Sequence, residues 1–253
     1  MMDRYFISCD NACRGGCLYC FSKWKEYKKF EHESKPKDNT IIYPNCDGNM
    51  FDNNFRITIE QFSKLQKKYS LSISTKFDIS GEDLIFVKRI HEELCRSSKG
   101  IVKLSISFSC SNSLEMMEPQ TADYDKRIQL VKRISEIGVP YTTIIKPILP
   151  FIDIEEYYRI IDDTIRYSPY YLIGDLYVSD KTYFYEKYIK DKWCTELRNV
   201  EWNGENGPWQ VVVDNQKRKE IADYIVLNGG KVFESDEKVM EYLITIYGQN
   251  III

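Results

Sequence analysis

Apolar and polar positions along the first two thirds of this chain fall into two alternating rhythms. Short apolar runs, most with a period of two, come at Arg4–Ser8, Thr40–Pro44, Leu71–Phe77, Val102–Ser109, Tyr141–Ile148 and Tyr171–Val178, and each reads as a strand. Between them the period lengthens to that of a helix. Thr58-Ile59-Glu60-Gln61 has the form of a capping box, with Phe62, Leu65 and Tyr69 as the stripe behind it. Ser80 opens a second helix carrying Leu84, Val87, Ile90, His91, Leu94 and Cys95. Asp123–Ile137 is a third, stopped by Gly138 and Pro140, and Asp153 caps a fourth with Ile154, Tyr157, Ile161 and Ile165 on one face. Strands that alternate with helices pair in parallel through right-handed crossovers, so the expected fold class is α/β, a partial (β/α)6 barrel of parallel strands.

Beyond Ser179 the alternation blurs. Tyr183, Tyr185, Tyr188 and Trp193 lead to a turn at Asn203–Pro208, a strand-like Trp209–Val213 and helix candidates at Lys217–Leu227 and Glu237–Tyr247. The expected organisation is a barrel over residues 1–180 and a C-terminal extension over 181–253 that packs on the barrel or closes its mouth. A chain of 253 residues, 43% hydrophobic, buries a sizeable core as one domain.

The pattern also places polar groups where a barrel keeps its chemistry. Asn45-Cys46-Asp47-Gly48-Asn49 follows the second strand, Lys76 sits near the end of the third, and Ser105, Ser107 and Ser109 share one side of the fourth. His91 and Cys95 lie four apart on a helix, a spacing that suits a half-buried face better than a ligand pair. From Phe21 to Phe30 aromatic and basic residues alternate, which reads as an amphipathic helix with a solvated lysine face.

The strongest chemical signal is Cys13, Cys17 and Cys20, spaced C-x3-C-x2-C after the first strand. Three thiolates fill three corners of a 4Fe-4S cube, whereas full cysteine ligation takes four, so one iron stays open to chemistry. A structural zinc site is the first competing reading, but it wants a fourth ligand, and the only histidines are His32 and His91. A disulfide framework is the second, and it suits short secreted chains rather than one of this length.

Composition narrows the partners. A formal charge of −3 supplies no overall positive field for phosphate backbones, so a small substrate is expected and nucleic acid is not. Eight cysteines, no secretory leader and no apolar run long enough to cross a bilayer lead us to expect a cytoplasmic protein without a membrane partner.

With Tyr19 before its last cysteine, the motif resembles the radical S-adenosylmethionine (SAM) superfamily. Arg4 to Asp162 is similar in particular to the spore photoproduct lyase branch. That likeness rests on Tyr43-Pro44-Asn45-Cys46-Asp47, Ser74-Thr75-Lys76-Phe77, Ser105–Ser109, Glu118-Pro119 with Lys126-Arg127, and Pro147-Ile148-Leu149-Pro150. It implies a 4Fe-4S cluster on Cys13, Cys17 and Cys20 whose open iron chelates SAM, reductive cleavage of SAM to a 5'-deoxyadenosyl radical, and hydrogen abstraction from substrate. It also implies that Lys76 pairs with the SAM carboxylate, that Ser74 and Ser107 hydrogen-bond the cofactor, and that the backbone near Tyr19 meets the adenine. Cys46 would return a hydrogen atom to the product radical; a cysteine that simply packs is the other reading. A reductant such as flavodoxin or ferredoxin, and a homodimer, are further expectations.

In size and acidity the chain is closer to small members that act on a free nucleobase or nucleoside. Tyr43–Phe51 and Ser72–Ser80 resemble the clostridial queuine lyases, which would make the reaction queuine C–N cleavage to a 7-deazaguanine precursor, with Asn45, Asp47 and Asp175 reading the base and diol. A photoproduct-lyase-like repair enzyme, a radical activating enzyme for a protein partner, and a non-enzymatic metal holder are the alternatives.

Overall fold

A computed structural model describes residues 2–8, 13–24, 28–29, 35–44, 46–51, 55–199 and 208–247. Its strands are β1 (Asp3–Phe6), β2 (Thr40–Tyr43), β3 (Tyr69–Thr75), β4 (Val102–Phe108), β5 (Tyr141–Ile145), β6 (Tyr170–Ile173), β7 (Leu176–Val178), β8 (Thr195–Arg198), β9 (Trp209–Val212) and β10 (Lys231–Phe233). The helices are α1 (Phe55–Ser63), α2 (Gly81–Arg96), α3 (Leu114–Met117), α4 (Tyr124–Ile137), α5 (Ile154–Thr164), α6 (Tyr183–Tyr188), α7 (Asn215–Leu227) and α8 (Asp236–Tyr247).

The six expected strands stand side by side in chain order, every neighbouring pair is parallel, and the sheet is an open half-barrel. A seventh strand, β10, pairs in parallel with β6. It was invisible in the sequence because Lys-Val-Phe is too short to show a period. The run Tyr171–Val178 is in fact two strands. The chain leaves the half-barrel at Gly174-Asp175, and β7 opens a separate antiparallel sheet of order β7-β9-β8.

Caps formed largely where side chains allow them. Ser80 Oγ accepts from the Asp83 amide at 3.1 Å, Asp123 accepts from the Lys126 amide at 2.8 Å, and Gly138 ends α4 at φ 78°. Three expectations are corrected. α1 starts at Phe55, ahead of the Thr58–Gln61 capping box. Phe55 is buried with its ring against Phe51 and Phe86, and this packing outweighs the local cap signal. Tyr69 belongs to β3 rather than to a helical stripe. Phe21–Lys23 is a single 3-10 turn, with Phe21 and Trp24 set against Trp209; Lys25, Tyr27 and Phe30 lie outside the described residues.

His91 and Cys95 are both buried, and His91 Nδ1 accepts the Val102 amide at 3.2 Å, so the pair is core. Among the described residues, no helix is long and apolar enough to cross a membrane.

Candidate active site

Parallel strands place their C-terminal ends on one rim, and side chains that follow those ends converge. Here they line a cavity of about 570 Å³, within the range of small-molecule sites. Cys46 and Asp47 reach it from beyond β2, Ser74 and Lys76 from β3, Ser107 from β4 and Asp175 from beyond β6. Cys13, Cys17, Tyr19 and Cys20 line it from the loop after β1. Of the residues expected at the site, Asn45 alone lies outside the described residues.

The serine wall follows from register. Ser72 and Ser74 on β3 stand opposite Lys103 and Ser105 on β4, and Ser74 opens to the cavity. Ser107 Oγ donates to the Lys146 carbonyl at 3.3 Å.

Beneath the cysteine loop sits a charged hub centred on Glu118, whose side chain is fully enclosed. Lys76 Nζ donates to Glu118 Oε1 at 2.7 Å, Ser109 Oγ donates to the same oxygen at 2.6 Å, and Tyr19 OH also donates to it. Lys76 donates to Tyr19 OH as well. Arg127, itself fully enclosed, holds Glu118 Oε2 and donates to the Ser107 carbonyl at 2.6 Å. Burial alone pushes the Glu118 carboxyl up, but Lys76 and Arg127 overcome it and hold it at about 2. Burial likewise pulls the Lys76 ammonium down, and Glu118 together with Cys17 more than reverses that. The Lys76 ammonium is thus fixed in charge and position on the cavity wall. Glu118 and Arg127 were noticed in the sequence only as parts of a likeness, because nothing local shows that they meet.

A second charged group lies at the mouth. Asp175 accepts from Arg198 Nη1 at 2.6 Å and from Arg218 Nη1 at 2.9 and 3.0 Å. Both its oxygens are engaged, so arginines stand between this carboxylate and a direct reading of a base edge. Arg198 comes from β8, which the sequence did not signal, and Arg218 from α7, expected as a helix at Lys217–Leu227 but not as part of the site.

The residues fit an iron-sulfur cube better than a lone metal ion. Among the described residues, no three His, Cys, Asp or Glu side chains close round one point, as a zinc ion about 2.3 Å from each sulfur requires. A cube spreads its thiolates over separate irons and asks only that the thiols face one space, which these three do. The Cys17 thiol is pushed up to about 11 by burial, against the pull of Lys76, so metal binding must displace its proton.

No protein-family model matches the chain. An uncharacterized protein of Methanocaldococcus jannaschii is 26% identical over 187 residues, covering 66% of this chain and 68% of that one. Among solved structures, a spore photoproduct lyase mutant with bound AdoMet and dinucleoside spore photoproduct superposes with a TM-score of 0.57 at 13% identity, over 80% of this chain and 63% of that one. A spore photoproduct lyase complexed with dinucleoside spore photoproduct gives 0.57 at 13% identity, over 88% and 74%. The chain thus spans less than two thirds of the first of these structures. At such identities the likeness is one of fold: this chain has the half-barrel of the spore photoproduct lyases.

Proposed function

We propose that this protein is a radical SAM enzyme that performs a lyase reaction on a modified nucleobase held in a nucleoside or dinucleotide. The observation that carries the reading is the convergence of Cys13, Cys17 and Cys20 with Lys76 on one cavity, at the strand ends of a half-barrel shared with AdoMet-bound lyases. When bound to the three thiolates, a 4Fe-4S cluster supplies the electron that cleaves SAM to methionine and a 5'-deoxyadenosyl radical.

The chain's own residues have separable tasks. Lys76, locked by Glu118, presents a fixed positive charge to the SAM carboxylate, and Ser74 and Ser107 offer hydroxyls to the cofactor. The loop at Tyr19, which lines the same cavity, would meet the adenine of a bound SAM. Cys46 lines the same cavity, where a thiol can return a hydrogen atom to a product radical. A flavodoxin or ferredoxin class reductant delivers the electron.

Of the possible substrates, a photoproduct-like dinucleotide is better supported, because the structural neighbours carry a dinucleoside photoproduct. Queuine rests on the likeness of two short stretches, and no comparison adds to it. The acidic chain argues for a short substrate rather than a duplex.

The test is 5'-deoxyadenosine formation by anaerobically reconstituted, reduced protein with SAM. It compares a thymine photoproduct dinucleotide, queuine, queuosine nucleoside and no addition. A rise with the dinucleotide, together with repaired thymine product, supports the reading. A rise with queuine and a deazaguanine product transfers the lyase to that substrate. An intact cluster with no SAM cleavage under any condition refutes the proposal.

A further inference from the structure

Lys146 directly follows β5 and lines the cavity, yet among the described residues its ammonium has neither a hydrogen-bond partner nor an ion pair. The Tyr177 ring lies 5.6 Å from it, and the carboxylates of Asp175 and Asp236 act on it only through space. An unpaired ammonium in a partly enclosed site is costly, and burial pulls its pKa down. The fold nonetheless makes room for it. Gly174, at the neighbouring strand end, has no side chain, and a Cβ there would lie 2.6 Å from Lys146 Cδ and 2.9 Å from Cγ. The missing side chain thus lets the lysine stem cross the end of β6.

The same part of the cavity is lined by the Asp175 arginines. Arg218 meets Asp175 through Nη1 only; its Nε and Nη2 have no partner among the described residues. Arg198 divides itself between Asp175 and the rim residue Glu196. Glu234 and Asp236 also line the cavity, with Asp236 engaged by Lys103, while Lys146 and Arg218 keep unused donors in both a point-charge and a fork geometry. That is the recognition chemistry of a phosphate oxygen pair.

We propose that Lys146 and Arg218 form a phosphate subsite at the cavity mouth, so that the substrate is a phosphorylated nucleoside or an internucleoside phosphodiester rather than a free base or a bare nucleoside. This names the substrate class of the site and rests on the nucleoside-lyase reading above. Asp175 becomes a positioning residue that orients the two arginines. Gly174 keeps Lys146 in place.

The test is calorimetric titration of the cluster-reconstituted protein, and it needs no SAM cleavage. The ligands are thymidine, thymidine 5'-monophosphate and the dinucleotide thymidylyl-thymidine, with guanosine and guanosine 5'-monophosphate as a second pair. A phosphorylated ligand is expected to bind roughly tenfold or more tightly than its nucleoside at low salt, with the advantage shrinking at high salt. Preference for the dinucleotide over the monophosphate assigns the site to a phosphodiester, and the reverse assigns it to a terminal phosphate. Lys146→Gln and Arg218→Gln should each erase most of the advantage. Gly174→Ala, which leaves every charge intact, should weaken it by displacing the lysine stem. Nucleosides binding as tightly as nucleotides, or no phosphorylated ligand binding at all, would overturn the proposal in the unaltered protein, whatever the variants do. It is also overturned if Lys146→Gln abolishes SAM binding and leaves the nucleotide preference intact, for the lysine then serves the cofactor. A phosphate preference without any 5'-deoxyadenosine would keep the subsite and remove the lyase reading.

Discussion

Two carboxylates, one beneath this cavity and one at its mouth, are each held between two cations, and their settings could hardly differ more. Glu118 lies between Lys76 and Arg127 beneath the cysteine loop, its side chain and that of Arg127 wholly enclosed. Asp175 lies between Arg198 and Arg218 at the mouth, where the arginine side chains are 38% and 37% exposed. Enclosure makes the first arrangement obligatory, since removing one partner strands a charge in a medium that cannot solvate it. Exposure makes the second exchangeable, because water or a ligand can replace either contact. One cluster is built to hold a lysine still. The other is built to be approached.

The largest effect expected from breaking this contrast is at the hub. Glu118→Ala leaves Arg127 charged and enclosed, and urea unfolding should show a loss of about 3–5 kcal/mol. Pairing Glu118→Gln with Arg127→Met removes the two enclosed charges and leaves only Lys76, which reaches the cavity, without its partner, so part of that loss should be recovered. A cost below about 1 kcal/mol for the single change would mean the hub is not anchored as drawn.

Next is a pH effect that has to be separated from the hub. Burial pushes the His91 imidazole down to about 4, whereas in the unfolded chain it takes up its proton near the ordinary 6.5. The unfolded state therefore binds more protons between those values, and stability falls as pH drops from 6.5 toward 4, by up to about 3 kcal/mol. His91→Gln should flatten the profile in that window, and an unchanged slope would assign the acid loss elsewhere. Comparisons of the two carboxylates belong above pH 7.

The smallest stability effect is at the mouth. Asp175→Asn should cost about 1 kcal/mol or less, and that cost should diminish with added salt. Nucleotide affinity should fall only in part, because the positive charge remains while its orientation by Asp175 is lost. A loss as large as that at Glu118 would erase the distinction between the clusters.

How much of this was legible in the sequence follows the same divide between local and long-range signals. Ser105 and Ser107 declared their shared face through strict alternation, and the cysteine spacing declared its chemistry within eight residues of chain. Lys146 falls inside the expected strand run Tyr141–Ile148, and only the structure, which ends β5 at Ile145, sets it at a strand end. Glu118 and Arg127 were visible as residues without being visible as partners, since their contact depends on how the β4–α4 connection folds back. Arg198 and β10 were beyond reach, because they sit on short elements whose own sequence has no period. Arg218 lies on a helix expected from the sequence, but only the tertiary structure brings it to the cavity.

The central claim, that the cysteine-lined cavity is a SAM-cleaving site, is tested most directly by 5'-deoxyadenosine formation in Cys17→Ala against Cys110→Ala. Both thiols are buried, but Cys17 lines the cavity and Cys110 packs in the core. The account predicts that unaltered and Cys110→Ala proteins bind the cluster and cleave SAM, while Cys17→Ala keeps its circular dichroism and loses both. Equal activity in the two variants, or a cluster-loaded unaltered protein that leaves SAM intact, would contradict it.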